Sequence, residues 1–124
     1  MLPVLLYTND SDKPFWGFIR NEHHSLIVPF ECKNTSKVDI EDINQVAGYL
    51  GDALGYLGII LTRQALPDDR RFKCFAWYNK GVPHRVIIAL SDQDIKRMLQ
   101  MRSVGNNPLE ILRYRYQEFL TKVQ

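Results

Sequence analysis

Two short apolar runs, Leu57–Thr62 and residues 85–90, constrain this chain more than any other feature. Each has the length and β-branched content of a buried strand. A segment of different period precedes each one. Residues 39–53 read as a helix, and Ile40, Ile43, Val46, Ala47, Leu50 and Leu54 recur at helical spacing and form one apolar stripe. Residues 67–80 read as a second helix, with Phe72, Phe75, Ala76 and Trp77 turned inward and Gly81 ending it. Strand–helix alternation of this kind requires a sheet covered by helices.

The flanks extend that pattern. Asp39 is a candidate N-cap, with Glu41 and Asp42 in the first turn to complement the helix dipole, and Gly55 is a candidate stop. Val4–Thr8 reads as a buried strand, followed by the turn-rich residues 9–14. Residues 15–20 are aromatic-rich and read as a second strand, residues 21–24 as a hairpin turn, and residues 26–33 as a third strand. Pro29 in that strand forgoes a ladder hydrogen bond. Near the C-terminus, Ser91 and Asp94 have capping-box spacing, and Asn107, Pro108 and Glu110 fit an N-cap, N1 and N3 series. The expected order is three strands, helix, strand, helix, strand, helix, helix. The fold class is α/β, a mixed central β-sheet flanked by helices.

At 124 residues the chain suits a single domain, 1–124. Hydrophobic content of 45% and charged content of 24% are ordinary for a globular protein and argue against disorder. Two cysteines without a CxxC pair argue against a disulfide scaffold or a structural zinc site, and a reducing cytoplasm is the expected compartment. No apolar run is long enough to span a bilayer, so no membrane partner is expected. The apolar first residues have no basic start or cleavage site, unlike a signal peptide. A chain that opens directly in a core strand is compatible with an N-terminal truncation. The net charge of +2 neither requires nor excludes a nucleic-acid partner.

Chemistry concentrates at Glu31-Cys32-Lys33. Glu31 and Lys33 are two apart on a strand and share a face where the apolar run ends. A carboxylate there can bind a hard cation such as Mg²⁺ through oxygen, and a lysine beside it can orient water or neutralise developing charge. A second acid and a backbone carbonyl are expected to complete such a site. In the next helix Gln45 and Tyr49 are four apart, on one helical face.

The apolar strand delivering Glu31-Cys32-Lys33-Asn34, followed by a helix with Gln45-Val46-Ala47-Gly48-Tyr49, resembles the PD-(D/E)XK nuclease superfamily, with its E-x-K and Q-x-x-x-Y motifs. The resemblance runs over roughly residues 4–120. It implies a restriction-endonuclease-like fold with extra C-terminal helices. It also implies a Mg²⁺- or Mn²⁺-dependent endonuclease acting on DNA. Glu31, Lys33, Gln45 and Tyr49 would be the site residues, with Glu31 and the Cys32 backbone carbonyl on the metal. The family's upstream aspartate has no counterpart, because Val4 stands in its region. Asp10 or Asp12 would be the stand-in, although both also fit a turn. An inactive or truncated nuclease-like domain that binds nucleic acid or a protein is the alternative.

Other candidates carry less. Arg70, Arg71 and Lys73 form a basic cluster at a helix start that suits phosphate contact, and Arg113 with Arg115 forms another. Solvated faces of this kind are common. His23-His24 fits a turn better than a metal site, and His84 reads as structural. The apolar residues 2–6 suit an interface strand in a homodimer.

Overall fold

The computed structural model describes residues 4–8, 14–33 and 37–123. The element order is β1 (Val4–Thr8), α1 (Pro14–His23), β2 (Ile27–Cys32), α2 (Ile40–Tyr49), β3 (Leu57–Thr62), α3 (Asp68–Asn79), β4 (Val86–Ser91), α4 (Asp92–Ser103) and α5 (Leu109–Lys122). A four-stranded sheet has the order β1-β2-β3-β4. β1 runs antiparallel to β2, and β2, β3 and β4 run parallel. The architecture is α/β, a mixed sheet flanked by helices.

The second expected strand is a helix. Residues 15–20 lie in α1, and residues 21–23 complete it instead of forming a hairpin turn. Phe15 and Ile19, four apart, are its buried residues, whereas Phe18 is exposed. Their spacing is the helical period, which outweighs the β-propensity of the aromatics. Pro14 opens the helix at a position where no N–H is needed. His24 stops it in the left-handed region at φ 53°. β1 therefore pairs directly with β2, Tyr7 opposite Val28, with α1 in the connection.

α2 is shorter than the apolar stripe suggested. It ends at Tyr49, and Leu50 is already extended. The chain then closes a tight Gly51–Gly55 bridge. Gly55 is part of that turn and not the helix stop. It sits at φ 86°, and a Cβ there would lie 2.5 Å from the His24 carbonyl oxygen. On α3 the expected inward set is only partly right. Cys74 is buried, Phe75 and Trp77 are half-buried, but Phe72 and Ala76 face solvent.

The core forms where side chains from both faces of the sheet meet the helices. Val28, Leu57, Ile59, Ile60, Val86 and Ile43 are fully buried. Phe15 of α1 packs edge-on to Tyr116 of α5, 6.1 Å between centroids, and His23 Nε2 lies 2.6 Å from the Tyr116 hydroxyl. On β3, Gly58 admits α2 closely: a Cβ would come within 2.7 Å of Val46 Cγ1. Gly58→Ala is therefore expected to lower stability by about 1–3 kcal/mol through overpacking. Urea denaturation checks this, and an unchanged midpoint would contradict the close α2–β3 contact.

The α4 start matches the sequence reading, and α5 starts one residue later than read, at Leu109 with Pro108 at N-cap. The Ser91 backbone N–H donates to Asp94 Oδ2 at 3.1 Å, and the Asp94 N–H donates to Ser91 Oγ at 3.2 Å. Asn107 Oδ1 accepts from the Leu109 N–H at 3.0 Å. No helix among the described residues is long and apolar enough to cross a membrane.

Candidate functional site

β2 carries Glu31 to the carboxyl ends of the parallel strands, the end of an α/β sheet where ligands bind. Glu31 pairs with Ile60 across the β2–β3 ladder. The Lys33 N–H donates to the Leu61 carbonyl at 2.8 Å, continuing the ladder one residue past the strand. Strand alternation puts the Glu31 and Lys33 side chains on one face and Cys32 on the other.

Glu31 is completely buried, and neither carboxylate oxygen has a hydrogen-bond partner among the described residues. That is unusual, since buried polar groups are nearly always satisfied and an orphaned one calls for an explanation such as an ion. Burial is the main cause raising its pKa; nearby Asp42 adds to the rise and Lys33 opposes it.

Asp42 is the residue that sequence reasoning missed. In the sequence it stands only as a charge that complements the helix dipole. It is buried, in the first turn of α2. Its Oδ2 lies 3.1 Å from Lys33 Nζ and accepts the Asp39 N–H at 2.8 Å. The signal was an acid at the third position of the helix that follows E-x-K. One carboxylate thus caps a helix and fixes the lysine, while a second, Glu31, stays unpaired beside it.

Gln45 and Tyr49 bond each other, Gln45 Nε2 donating to the Tyr49 hydroxyl at 3.2 Å. Gln45 follows Asp42 by three residues, so it lies on the neighbouring turn of the same face. Asp10 and Asp12 fall outside the described residues. Among the described residues no group of three or more His, Cys, Asp or Glu side chains is placed to hold a metal. One oxygen donor group is present, the Glu31 carboxylate, which has no competing partner among the described residues and is of the type that a hard cation takes.

The basic cluster is mostly neutralised. Arg70 pairs with Asp69 and donates through Nε to the Val38 carbonyl at 2.9 Å. Arg71 lies 3.3 Å from Asp68. Arg113 lies 3.7 Å from Glu110, and Arg115 is held by Asp94 and Glu118. Lys73 differs, lying 5.9 Å from the Trp77 ring centre with no acid partner among the described residues. His84 stacks on Tyr78 at 4.1 Å, a structural contact.

Two cavities accompany these groups. One, of about 350 Å³, is lined by Lys37, Val38, Gln64, Leu66, Pro67 and Arg70, beside the loops that lead into α2 and α3. The other, of about 180 Å³, lies among α3, β4, α4 and α5, and its Asp94, Arg115, Glu118 and Lys122 are paired with one another. Neither is lined by Glu31. No family model, curated protein or solved structure matches this chain.

Proposed function

We propose that the chain is a metal-dependent nuclease that hydrolyses phosphodiester bonds in DNA, a PD-(D/E)XK member with a restriction-endonuclease-like fold. One observation carries the reading: a fully buried Glu31 carboxylate with neither oxygen satisfied, two residues from a lysine held by Asp42. A buried unpaired carboxylate is neutralised either by a proton, in keeping with its raised pKa, or by a cation, and the cation reading is the one proposed.

Glu31 and the Cys32 backbone carbonyl would hold Mg²⁺ or Mn²⁺, with Asp10 as the expected upstream acid. Such an ion, when bound, neutralises charge on the phosphate and acidifies water. Asp42 holds the Lys33 ammonium at 3.1 Å, which leaves that group further N–H donors for water or for charge developing on the phosphate. Gln45 and Tyr49, already bonded to each other, would serve as auxiliary contacts on the adjoining turn.

A second reading is an inactive domain that binds nucleic acid. The absence of a three-ligand acidic cluster among the described residues favours it. A homodimer would use the β1 edge, where Leu6 is exposed.

Supercoiled, linear and single-stranded DNA, incubated with the purified chain and Mg²⁺, Mn²⁺ or EDTA, test the proposal. Cutting is expected with metal, not with EDTA, and not in Lys33→Ala. Intact DNA under every condition would sink the enzymatic reading and favour the binding one.

A further inference from the structure

Three cations within twelve residues of one another in sequence gather around one indole. Lys80 Nζ lies 4.3 Å from the Trp77 ring centre, Arg85 Cζ 5.8 Å and Lys73 Nζ 5.9 Å. Among the described residues none of the three forms an ion pair with an acid. Asp52, on the turn after α2, is engaged by the Tyr56 hydroxyl at 2.6 Å. The screening length is on the order of 10 Å at 0.1 M salt, so these like charges repel one another. The ring face offsets part of that repulsion. Arg70 and Arg71, on the same helix, have acids beside them and present no comparable field.

The cluster is fixed in place. Trp77 Nε1 donates to Asn44 Oδ1 on α2 at 2.9 Å, and Arg85 Nε donates to the Leu50 carbonyl at 3.3 Å. Asn44 comes two residues after Asp42, about 3 Å along the helix axis. The helix that pins Lys33 therefore also pins the basic cluster.

We infer that Lys73, Lys80 and Arg85 around Trp77 form a docking surface for the phosphate backbone of nucleic acid. The choice of partner rests on the nuclease reading; the charge and geometry do not. Lysines and an arginine beside a half-buried aromatic suit sequence-independent backbone contact.

A fluorescently labelled DNA duplex, titrated in EDTA over a range of salt concentrations, tests this without cleavage. Lys73→Gln/Lys80→Gln/Arg85→Gln is expected to bind at least tenfold more weakly, with a log–log salt slope reduced by about 3. Lys73→Gln/Lys80→Gln keeps the Arg85–Leu50 contact and is expected to lose about 2 of that slope. Arg70→Gln/Arg71→Gln is expected to keep the parent slope. A chain that fails to cut but shows these slopes would remove the nuclease reading alone. Parent-like affinity and slope in both lysine variants would overturn the inference. So would a parent chain that ignores DNA, or one that binds phosphatidylserine vesicles and not duplex.

Discussion

Glu31→Gln is expected to abolish metal-dependent cutting, a loss of about 10³-fold or more, and not to lower stability. Loss of the cation's charge stabilisation is worth several kcal/mol of barrier, and each 1.4 kcal/mol or so is tenfold in rate. The stability expectation follows from burial. Glu31 is fully enclosed with both oxygens unsatisfied, so its charge is a burden on the fold in the absence of metal. Glu31→Met, which removes both orphaned oxygens, is expected to stabilise the metal-free chain by about 1–3 kcal/mol. Thermal unfolding reads this as a rise of several degrees.

The pH dependence has a definite sign. Burial raises the Glu31 pKa above that of the unfolded chain. Below the unfolded value the group is protonated in both states and exacts no charge penalty, and that stability is lost as pH rises through the raised folded value. The metal-free parent should lose stability relative to Glu31→Met as pH climbs out of the ordinary carboxylate range. A Glu31→Met chain that melts well below the parent at neutral pH would mean that Glu31 is structurally satisfied, and the site would lose its main support.

The second large effect is expected at Asp94. This buried carboxylate accepts Arg115 Nε at 3.1 Å and Nη2 at 2.9 Å, besides the Ser91 N–H at 3.1 Å. Three jobs converge on one side chain: it caps α4, ties β4 to that helix, and anchors α5. Burial by itself would raise its pKa, but the Arg115 and Ser91 hydrogen bonds outweigh burial and lower it. Asp94→Ala removes the cap and leaves Arg115 without its bidentate partner. The expected cost is about 2–4 kcal/mol, below the value for a fully buried pair because the Arg115 side chain is 29% exposed. The pair's stabilisation is present above the unfolded aspartate pKa and is lost as pH falls through the lowered folded one. Asp94→Ala should thus flatten the acid limb of the stability profile. A midpoint shift under 1 kcal/mol would show that water replaces the pair at little cost.

Much of the fold was legible because its signals are local. The runs that became β3 and β4, the α2 stripe, and the caps at Ser91 and Asn107 depend only on near neighbours. Residues 15–20 suit a strand as well as a helix because three aromatics fall in a short segment, and which of them is buried, Phe15 against Tyr116 but not Phe18, is set by a partner far along the chain. The site divides the same way. Glu31 and Lys33 share a face by strand geometry alone. Nothing in the sequence shows that Lys33 turns to Asp42 across the β2–α2 loop, or that Glu31 is left without a partner. The obvious basic cluster proved largely self-neutralised, because Asp68 and Asp69 adjoin it on α3. The cations without an acid partner among the described residues instead lie in α3, just after it and just before β4, and meet around Trp77.

The central claim is that Glu31 is kept buried and unpaired to hold a divalent cation, and a calorimetric titration of the purified chain with Mn²⁺ tests it most directly. The parent is expected to bind Mn²⁺ saturably near neutral pH, with affinity that weakens on acidification before ordinary carboxylates protonate, and Glu31→Gln is expected to bind none at that site. Equal binding by parent and Glu31→Gln, or none by either, would contradict the account.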